Sequence, residues 1–499
     1  MVDRASRREG AGMTRRARAG LTRRDALAGA TAAVALASAA GPAQALGRAC
    51  PPSPLDRELR FDDAARTAAA GDFGHIVERR PKAVLMAAST DDLAATIRWA
   101  GCRGWRFAAR GRGHSTFGRS QVRRGIVADM SRLRRIGAVE GDRVVVEAGA
   151  RWSEVVAAAL AHGRTPPVLP DYLELSVGGT LTVGGVGGTS VHLGVQTDHV
   201  LDLDVVTGDG ERVRCSASRN RELFDAVRAG LGQVAVIVRA TLKLGAAPRA
   251  VRGFQLFYAS LAGLLKDARL LAGAGRFDAV QGAIAASPSG GLAFRLDAAR
   301  FVDDAAPSDA SLLSGLSDDR GRRTATTVPY LDYLRRLAPL EAALRENGQW
   351  LYPHPWLMTF LGDTRVEAVV AGELERLDPP ADLGPFGQIV LSPIDRTTLR
   401  TPLLRMPADT LCWAFNLVRI PPTDDRSEAR RLVDANQAIY RRVRAAGGVL
   451  YPVSALPLSP DGWRRHFGAA FGPLADAKRR YDPRHTLTPG YEVFRGSRG

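Results

Sequence analysis

The densest chemical signal in the sequence is a histidine set among small and basic residues, in the run Ala-Arg-Gly-Arg-Gly-His-Ser from position 109 to 115. The glycines let backbone N–H groups face an anion while the His114 imidazole stays at a fixed point, as a pyrophosphate-bearing cofactor requires. The run is not a P-loop, because no Gly-Lys-Ser/Thr follows, and not a dinucleotide fingerprint, because Gly118 comes five residues after Gly113. A loop histidine beside glycines is also a common turn residue, so the run alone leaves both interpretations open.

The second signal pairs an acid with a long glycine-rich run. Asp171 follows a proline and opens the tripeptide Asp-Tyr-Leu, and glycines alternate with hydroxyl residues and valines from 176 to 188. This run is too rich in glycine for a plain helix or a central strand, so we expect it to wrap a polar ligand with its Ser and Thr hydroxyls. Asp171 could equally cap a turn, and the residues alone do not decide between the two roles.

Short β-rich runs alternate with runs of helical periodicity between about 58 and 244. These elements must position the His114 run and the Asp171 segment. The sequence predicts strands at 125–129, 143–147 and 200–207 and helices at 152–162 and 220–230. The strand from 200 leads into a tight hairpin in which Gly210 suits a positive φ. The alternation indicates an α/β or α+β fold.

After residue 247 the pattern changes to amphipathic helices and a cluster of prolines and aromatics. Residues 330–346 show helical periodicity, and 350–356 read Trp-Leu-Tyr-Pro-His-Pro-Trp. We interpret residues 247–451 as a second domain, followed by a turn-rich closing segment.

The composition excludes several functional classes. The chain has 499 residues, of which 45% are hydrophobic and 24% charged, which excludes a fibrous or largely disordered protein. The formal net charge of +17 rests on arginine, since the chain holds only four lysines, and no basic stripe interleaves with aromatics. We therefore expect no nucleic-acid partner. The four cysteines form no CxxC pair, and four single histidines lack metal-ligand spacing: His162, His192, His199 and His466. We therefore expect no metal site.

The first 45 residues read as a cleaved export signal. Basic residues extend to Arg24, an uncharged Ala-rich run follows, and Ala-Gln-Ala at 43–45 supplies a cleavage site. Thr-Arg-Arg at 22–24 is typical of the twin-arginine route, and Met13 offers an alternative start. A membrane anchor is the other interpretation, but the run lacks the Leu, Ile and Phe density of a true span. We expect an exported protein, periplasmic or extracellular, without stable membrane insertion.

Together these segments resemble the cytokinin dehydrogenases, within the wider FAD-linked oxidase family typified by vanillyl-alcohol oxidase and p-cresol methylhydroxylase. The glycine motifs at 110–115 and 177–181 support the wide family, and the segments at 171–173 and 350–357 support the narrower one. The resemblance implies a two-domain α+β fold. Its parts are a discontinuous FAD-binding domain of residues 46–246 and 452–499, and an α/β substrate-binding domain at 247–451.

The resemblance also implies roles for single residues. His114 matches the histidine that these enzymes join covalently to the 8α-methyl group of FAD. Further FAD-contact positions are Gly111, Arg112, Gly113, Ser115, Ser176, Thr182, Val186, Val236, Tyr451 and Thr488. Relatives that attach FAD twice carry a cysteine in the second glycine segment, and residues 171–189 have none, so one bond is expected.

Asp171 matches the catalytic base of this family. As hydride leaves the carbon beside a secondary amine for the flavin, a carboxylate about 3 Å from the N–H takes its proton. We expect apolar walls to desolvate Asp171, so that it accepts this proton at neutral pH. The oxidised product then hydrolyses to an amine and an aldehyde, which for an N6-alkyladenine leaves adenine.

Three departures from the family pattern bear on the flavin ring and the substrate. Arg119 and Tyr491 stand where the family has glutamines, and Ser392 stands where it has an aromatic residue. The same fold acting on an alcohol, a sugar or a secondary metabolite is therefore the main alternative, and a non-catalytic binding protein is a third. Oxygen or a quinone is the expected electron acceptor.

Overall fold

The computed structural model of the protein describes residues 58–287, 290–303, 307–487 and 489–494. The predicted export signal, its cleavage site and the predicted FAD contact Thr488 lie outside the described residues. The described residues belong to one compact unit, so the domain boundaries given above stay predictions.

Two sheets and a short ribbon form the first part of the described chain. Their strands are β1 (Leu59–Arg60), β2 (Ala83–Met86), β3 (Arg106–Arg110), β4 (Gly125–Asp129), β5 (Ile136–Glu140), β6 (Arg143–Glu147), β7 (Arg164–Thr165), β8 (Val200–Thr207), β9 (Arg212–Ser216), β10 (Ala235–Lys243) and β11 (Gly245–Ala246). The first sheet has the order β1-β2-β4-β3, in which β2, β4 and β3 run parallel. The second has the order β5-β6-β10-β8-β9 and is antiparallel, and β7 pairs with β11.

The three predicted strands are confirmed as β4, β6 and β8. The apolar run of β4 is almost wholly buried because it lies between two parallel neighbours. Gly210 has a φ of 74° in the turn between β8 and β9, as the predicted hairpin requires.

A large sheet forms the rest of the fold. Its strands are β12 (Ala250–Tyr258), β13 (Ala279–Ala286), β14 (Leu292–Val302), β15 (Thr324–Pro329), β16 (Leu357–Gly362), β17 (Gln388–Asp395), β18 (Leu411–Val418) and β19 (Val449–Leu450). They are antiparallel, in the order β15-β12-β14-β13-β17-β18-β16-β19. One hydrophobic core continues from the second sheet into this one, and a second core lies under the first sheet.

Helices connect and cover the sheets. They are α1 (Asp63–Ala68), α2 (Thr90–Cys102), α3 (Trp152–Leu160), α4 (Val177–Leu181), α5 (Ser190–Leu193), α6 (Arg221–Val227), α7 (Leu261–Ala274), α8 (Asp309–Leu312), α9 (Tyr330–Leu334), α10 (Ala338–Glu346), α11 (Asp363–Leu374), α12 (Pro379–Leu383), α13 (Arg426–Ala445), α14 (Pro460–Phe467) and α15 (Phe471–Tyr481). Short 3₁₀ turns lie at 196–199, 349–351, 396–398 and 468–470.

The structure confirms that the three predicted segments are helical, but it corrects where the helices begin and end. The helix predicted at 152–162 ends at Leu160, before Gly163 turns the chain with a φ of 65°. The helix predicted at 220–230 is α6, which starts after Asn220 in a left-handed conformation. The helix predicted at 330–346 is two helices, because Pro339 lacks the N–H of a helix interior and therefore stands in the first turn of α10.

The glycine-rich run was expected to form no plain helix, and the structure corrects this for α4. Gly178 explains the difference, since a Cβ there would lie 2.7 Å from the Cβ of Ala148. Without a side chain at this position, the short helix packs directly against the segment that follows β6.

The closing segment after α15 returns to the first sheet. Leu487 bridges to Phe107 of β3, and the Phe107 amide donates to the Thr486 carbonyl at 2.7 Å. The buried Lys478 ammonium donates to the Leu487 carbonyl at 2.7 Å and to the carboxylate of Asp482. These bonds tie the end of the described chain to the first sheet, beside the His114 run.

Over the part of the chain described by the structure, no helix combines the length and apolar character needed to cross a bilayer.

Candidate active site

A cavity of about 200 Å³ opens where the first two sheets meet the closing segment. Most of the predicted FAD contacts line it: Gly111, Arg112, Gly113, His114, Ser115, Ser176, Thr182 and Val236. Val453, Leu487, Pro489 and Tyr491 line it from the returning chain.

The two glycine-rich segments of the sequence contact each other at the wall of this cavity. A Cβ on Gly111 would lie 2.0 Å from the Ser176 hydroxyl oxygen, so only glycine allows the two segments to touch. Gly113 has a φ of 64°, which turns the chain sharply just before His114. Glycine thus shapes a cradle of backbone that a larger residue would fill.

His114 stands in a stack of rings. Phe73 covers one face of its imidazole at 3.9 Å between centroids and Tyr172 the other at 4.8 Å. His354 stacks on the far face of Phe73 at 3.9 Å. Together these residues form a ring column in the order His354, Phe73, His114 and Tyr172. Trp350 lies 4.9 Å from Phe73 and 6.0 Å from His114, beside the column.

The environment of His114 keeps its imidazole neutral. Burial lowers the pKa of His114 to about 3, and the neighbouring His354, Arg112 and Arg345 act in the same direction. No described residue forms a hydrogen bond with either ring nitrogen. The ring is therefore held by stacking alone, with a nitrogen lone pair available.

A buried acid lies under the His114 loop. The Asp72 carboxylate is 4% exposed and accepts from the Ser115 hydroxyl at 2.6 Å and the Gly118 amide at 2.5 Å. Burial raises the pKa of Asp72 to about 6, although both hydrogen bonds oppose the rise. Asp72 thus fixes the loop that carries His114.

Arg119 places a buried cation on the cavity wall. Its guanidinium donates to the carbonyls of Ser454 at 3.1 Å and Leu456 at 2.7 Å, and Tyr491 stacks on it at 4.8 Å. Its Nε is buried without a hydrogen-bond partner, and no described carboxylate lies within ion-pair distance of it. Burial lowers the pKa of Arg119 to about 10, so the group remains charged at neutral pH. The two residues that depart from the family pattern here therefore form one cation–aromatic pair.

Asp171 immediately precedes Tyr172 of the ring column. One of its oxygens forms an ion pair with Arg336, and the other accepts from the Gln281 amide at 3.2 Å. The expected apolar walls are not found, because these two polar side chains surround a carboxylate that is 35% exposed. The structure instead holds the carboxylate in a fixed orientation by hydrogen bonds.

A row of polar side chains across the large sheet faces Asp171. Gln255 of β12 pairs with Asp297 of β14, which pairs with Gln281 of β13. The Gln281 amide also lies 3.4 Å from the Ser392 hydroxyl of β17. The row gives the large sheet a hydrogen-bonding surface beside Asp171, suited to a substrate with donors and acceptors of its own.

Two further predicted FAD contacts do not line the cavity. The buried Tyr451 hydroxyl contacts the backbone of Gly185 and Val186, and neither Val186 nor Tyr451 lies among the residues that line the cavity. Thr488 is outside the described residues. The FAD contacts of these three residues stay predictions, as do the roles of the residues on the cavity wall.

Several site residues were missed by the sequence analysis. Asp72 and Phe73 sit between two glycines at 71 and 74, a local signal that could have marked a turn near a ligand. Arg336 and Gln281 carry no local signal, because they reach Asp171 only through the tertiary fold. His354 was part of a recognised motif, but nothing in the sequence indicates that it stacks on Phe73.

The chain is similar to known proteins over most of its length. Residues 81–216 match the family model of the FAD binding domain, and residues 292–494 match that of cytokinin dehydrogenase 1, FAD and cytokinin binding. Cytokinin dehydrogenase 10 of Oryza sativa subsp. japonica is 35% identical over 492 residues, covering 88% of this chain and 88% of the rice protein. Cytokinin dehydrogenase 7 of the same plant is 32% identical and covers 88% and 91%.

A bacterial relative and a solved structure are also similar. The "uncharacterized oxidoreductase ORF5 in fasciation locus" of Rhodococcoides fascians is 41% identical over 434 residues, covering 87% of this chain and 98% of the relative. The crystal structure of 6-hydroxy-D-nicotine oxidase from Arthrobacter nicotinovorans has a TM-score of 0.68 at 22% identity, and the match covers 87% of this chain and 97% of that one. This structural similarity concerns the fold alone.

Proposed function

The chain belongs to the cytokinin dehydrogenase family of FAD-dependent oxidoreductases, and on that premise we propose that it oxidises the C–N bond of a secondary amine, with N6-alkyladenines as substrates. Family membership excludes the non-catalytic alternative and makes a small molecule the substrate. The observation that carries the amine reaction is the placement of Asp171, beside the ring column on one side and the polar row of the large sheet on the other.

The cavity fits FAD in its chemistry. The glycine cradle around Gly111 and Gly113 admits a large ligand against the backbone, and the buried Arg119 guanidinium lacks an anionic partner that a flavin or its phosphates would supply. Bound FAD supplies the hydride acceptor of the reaction. The lining residues of the two glycine segments and of the closing segment would hold it.

The state of His114 supports a covalent link to the flavin. A neutral imidazole whose lone-pair nitrogen accepts no hydrogen bond is a nucleophile, whereas a protonated one is not. The low pKa of His114 and the absence of hydrogen bonds to its ring within the described chain satisfy both conditions. His114 would thus form the single bond to the 8α carbon.

Asp171 is the proposed proton acceptor. The substrate gives up a hydride from the carbon beside nitrogen, and its N–H proton passes to a carboxylate oxygen of Asp171, leaving a C=N bond that water cleaves to an amine and an aldehyde. Arg336 holds the carboxylate in place, and Gln281 and Ser392 offer hydrogen bonds to the polar part of the substrate. Oxygen or a quinone would then take up the two electrons.

We also propose that the protein is exported by the twin-arginine route to the periplasm or outside the cell. The Arg23-Arg24 pair and the Ala-rich run that follows support this.

The colour of the purified full chain tests the cofactor and its link. We expect a yellow protein whose acid-precipitated pellet stays yellow, and an acid pellet without colour for His114→Ala. His162→Ala is the matched control, since this exposed histidine lies away from the cavity and its variant should keep a yellow pellet. Wild-type pigment that washes away in acid would contradict the covalent link while leaving FAD binding intact.

Anaerobic bleaching of the flavin tests the substrate class. We expect isopentenyladenine to bleach the absorbance in a single turnover, with sugars and benzylic alcohols inert. Bleaching by an alcohol or a sugar, but not by the alkyladenine, would select the alternative reaction on the same fold.

A further inference from the structure

We propose that Phe73 and His354 are positioning residues for attachment of FAD to His114, and that residues of the predicted substrate domain thereby complete the attachment site. The proposal rests on the proposed covalent link. It assigns to the Pro-His-Pro-Trp segment a role toward the histidine of the other domain, which neither the family match nor the sequence indicates.

The first support is the geometry of the ring column. Phe73 lies nearly parallel to both of its neighbours, at interplanar angles of 17° to His114 and 24° to His354. Stacking of this kind restricts the plane of a ring, and for an imidazole it thereby limits rotation about the Cβ–Cγ bond, which sets where the ring nitrogens point. Because no described residue hydrogen-bonds the His114 nitrogens, the plane of the imidazole is set by Phe73 and Tyr172.

The second support is the way Phe73 is itself fixed. The fully buried His354 donates from Nδ1 to the Phe73 carbonyl at 3.1 Å, and its backbone amide donates to the Gly74 carbonyl at 2.9 Å. Trp350 and Trp356 contact Phe73 with tilted rings at 4.9 and 5.4 Å. The seven-residue segment 350–356 therefore holds the Phe73 loop in place through two hydrogen bonds and three ring contacts.

The third support lies at the opposite end of the ring column. The Tyr172 hydroxyl donates to Glu341 of α10 at 3.1 Å, and Glu341 also pairs with Arg345 at 2.8 Å. Arg345 in turn lies over the Trp350 ring at 4.3 Å. Both ends of the ring column are thus held by residues between 341 and 356, all outside the segment that carries His114.

Attachment requires this precision because it forms one directed bond. A His114 nitrogen bonds to the 8α carbon of FAD, one hydrogen leaves that carbon and one leaves the imidazole, and the two displaced electrons pass to the terminal acceptor, oxygen or a quinone. The attacking lone pair must point along the new bond, and misplacement by about 1 Å costs on the order of 10²-fold in rate. Neither Phe73 nor His354 needs to touch FAD for this effect.

The test measures attachment separately from binding. The full chain is produced in a riboflavin-starved host, mixed with FAD under air, and sampled for acid-stable flavin and for total bound flavin. We expect Phe73→Leu and His354→Ala to slow the appearance of acid-stable flavin by about 10 to 10²-fold, with total bound flavin within about twofold of wild type. Phe73→Tyr keeps the stacked ring and should retain the wild-type rate.

Phe277→Leu is the matched control. Phe277 is a fully buried ring in an edge contact with Phe254 at 5.7 Å, away from the ring column, so its loss costs packing without affecting His114. Attachment at the wild-type rate in Phe73→Leu or His354→Ala would overturn the proposal, as would equal slowing in Phe277→Leu. If one of the two variants fails to fold, the other still decides the question.

Failure of the proposed function gives a different result. In that case the wild type itself forms no acid-stable flavin at any time, whereas failure of the positioning proposal leaves the wild type unaffected and the variants indistinguishable from it.

Discussion

The two functional side chains of the site are held in opposite ways. His114 lies between stacked rings, forms no hydrogen bond within the described chain and is kept neutral by burial. Asp171, beside the next ring of the same column, is one third exposed and bonded to a guanidinium and an amide. A nucleophile needs a free lone pair and a proton acceptor needs an ionised oxygen, so each surrounding matches the chemistry proposed for its residue.

The surroundings of His114 and of Asp171 also differ in charge. The groups in the ring column, His354 included, are uncharged, and burial lowers the pKa of His354 to about 4. Asp171 instead touches the Arg336 guanidinium and the Gln281 amide of the polar row. The rings that stack on His114 are thus uncharged, whereas the groups that contact Asp171 are charged or polar.

Replacing the proposed proton acceptor should give the largest effect. Asp171→Asn keeps the shape and removes the ionised oxygen, so we expect the anaerobic rate of flavin bleaching by isopentenyladenine to fall by about 10² to 10⁴-fold. Covalent flavin should remain at the wild-type level, because the ring column is untouched. The measurement is stopped-flow absorbance at saturating substrate.

Asp363→Asn is the matched control for this variant. Asp363 pairs with Arg269 at 2.7 Å, with 31% exposure of both side chains against 31% and 35% for the Arg336–Asp171 pair. A bleaching rate in Asp171→Asn equal to that of the control would show that proton transfer does not pass through Asp171.

The buried Asp72 carboxyl under the His114 loop gives a pH-dependent effect. The pKa of Asp72 rises from its usual 3.8 to about 6 in the folded protein. Between these values the unfolded chain releases the proton before the folded protein does, so this group lowers the free energy of unfolding as pH rises through that window. The loss amounts to about 3 kcal/mol and is complete above pH 6.

Asp72→Asn should remove this loss. Urea unfolding of wild type and variant at pH 4, 5, 6 and 7 isolates it, because the contributions of all other groups cancel in the difference. We expect the variant to gain about 2 kcal/mol relative to wild type between pH 4 and 7, because part of the loss has already developed at pH 4. Asp267→Asn is the control, since this buried carboxylate also accepts one serine hydroxyl and one backbone amide. A difference independent of pH would show that Asp72 titrates normally.

Much of the attachment end was predictable from sequence because its determinants are local. Glycines at 111 and 113 and the histidine after them lie within four residues, and a turn that admits a ligand needs that spacing. The three strands with continuous or alternating apolar residues were predicted at their observed bounds for the same reason.

The reaction end was predictable only in Asp171 itself. Gln281 and Ser392 lie on strands 111 residues apart that become neighbours through the order of the large sheet, which no local pattern encodes. Arg336 lies 165 residues from Asp171, in the turn where Pro339 divides two helices. The prediction of apolar walls was wrong because it assumed that the surroundings of a carboxylate follow from its role, whereas the fold supplies them from distant segments.

Removing the guanidinium that orients Asp171 should give the smallest effect, and a double-mutant cycle measures it. Arg336→Gln loses the ion pair while keeping a hydrogen-bond donor, so we expect the bleaching rate to fall by about tenfold in the wild-type background, or about 1.4 kcal/mol. In the Asp171→Asn background the same change should have little further effect, because Arg336 acts through the carboxylate. Arg269→Gln, which breaks the comparably exposed pair with Asp363, should leave the rate unchanged in both backgrounds. Equal losses from Arg336→Gln in the two backgrounds would mean that the guanidinium acts on the substrate or on the fold independently of Asp171. The contrast between a nucleophile held by stacked rings and a base held by an ion pair would then no longer describe this site.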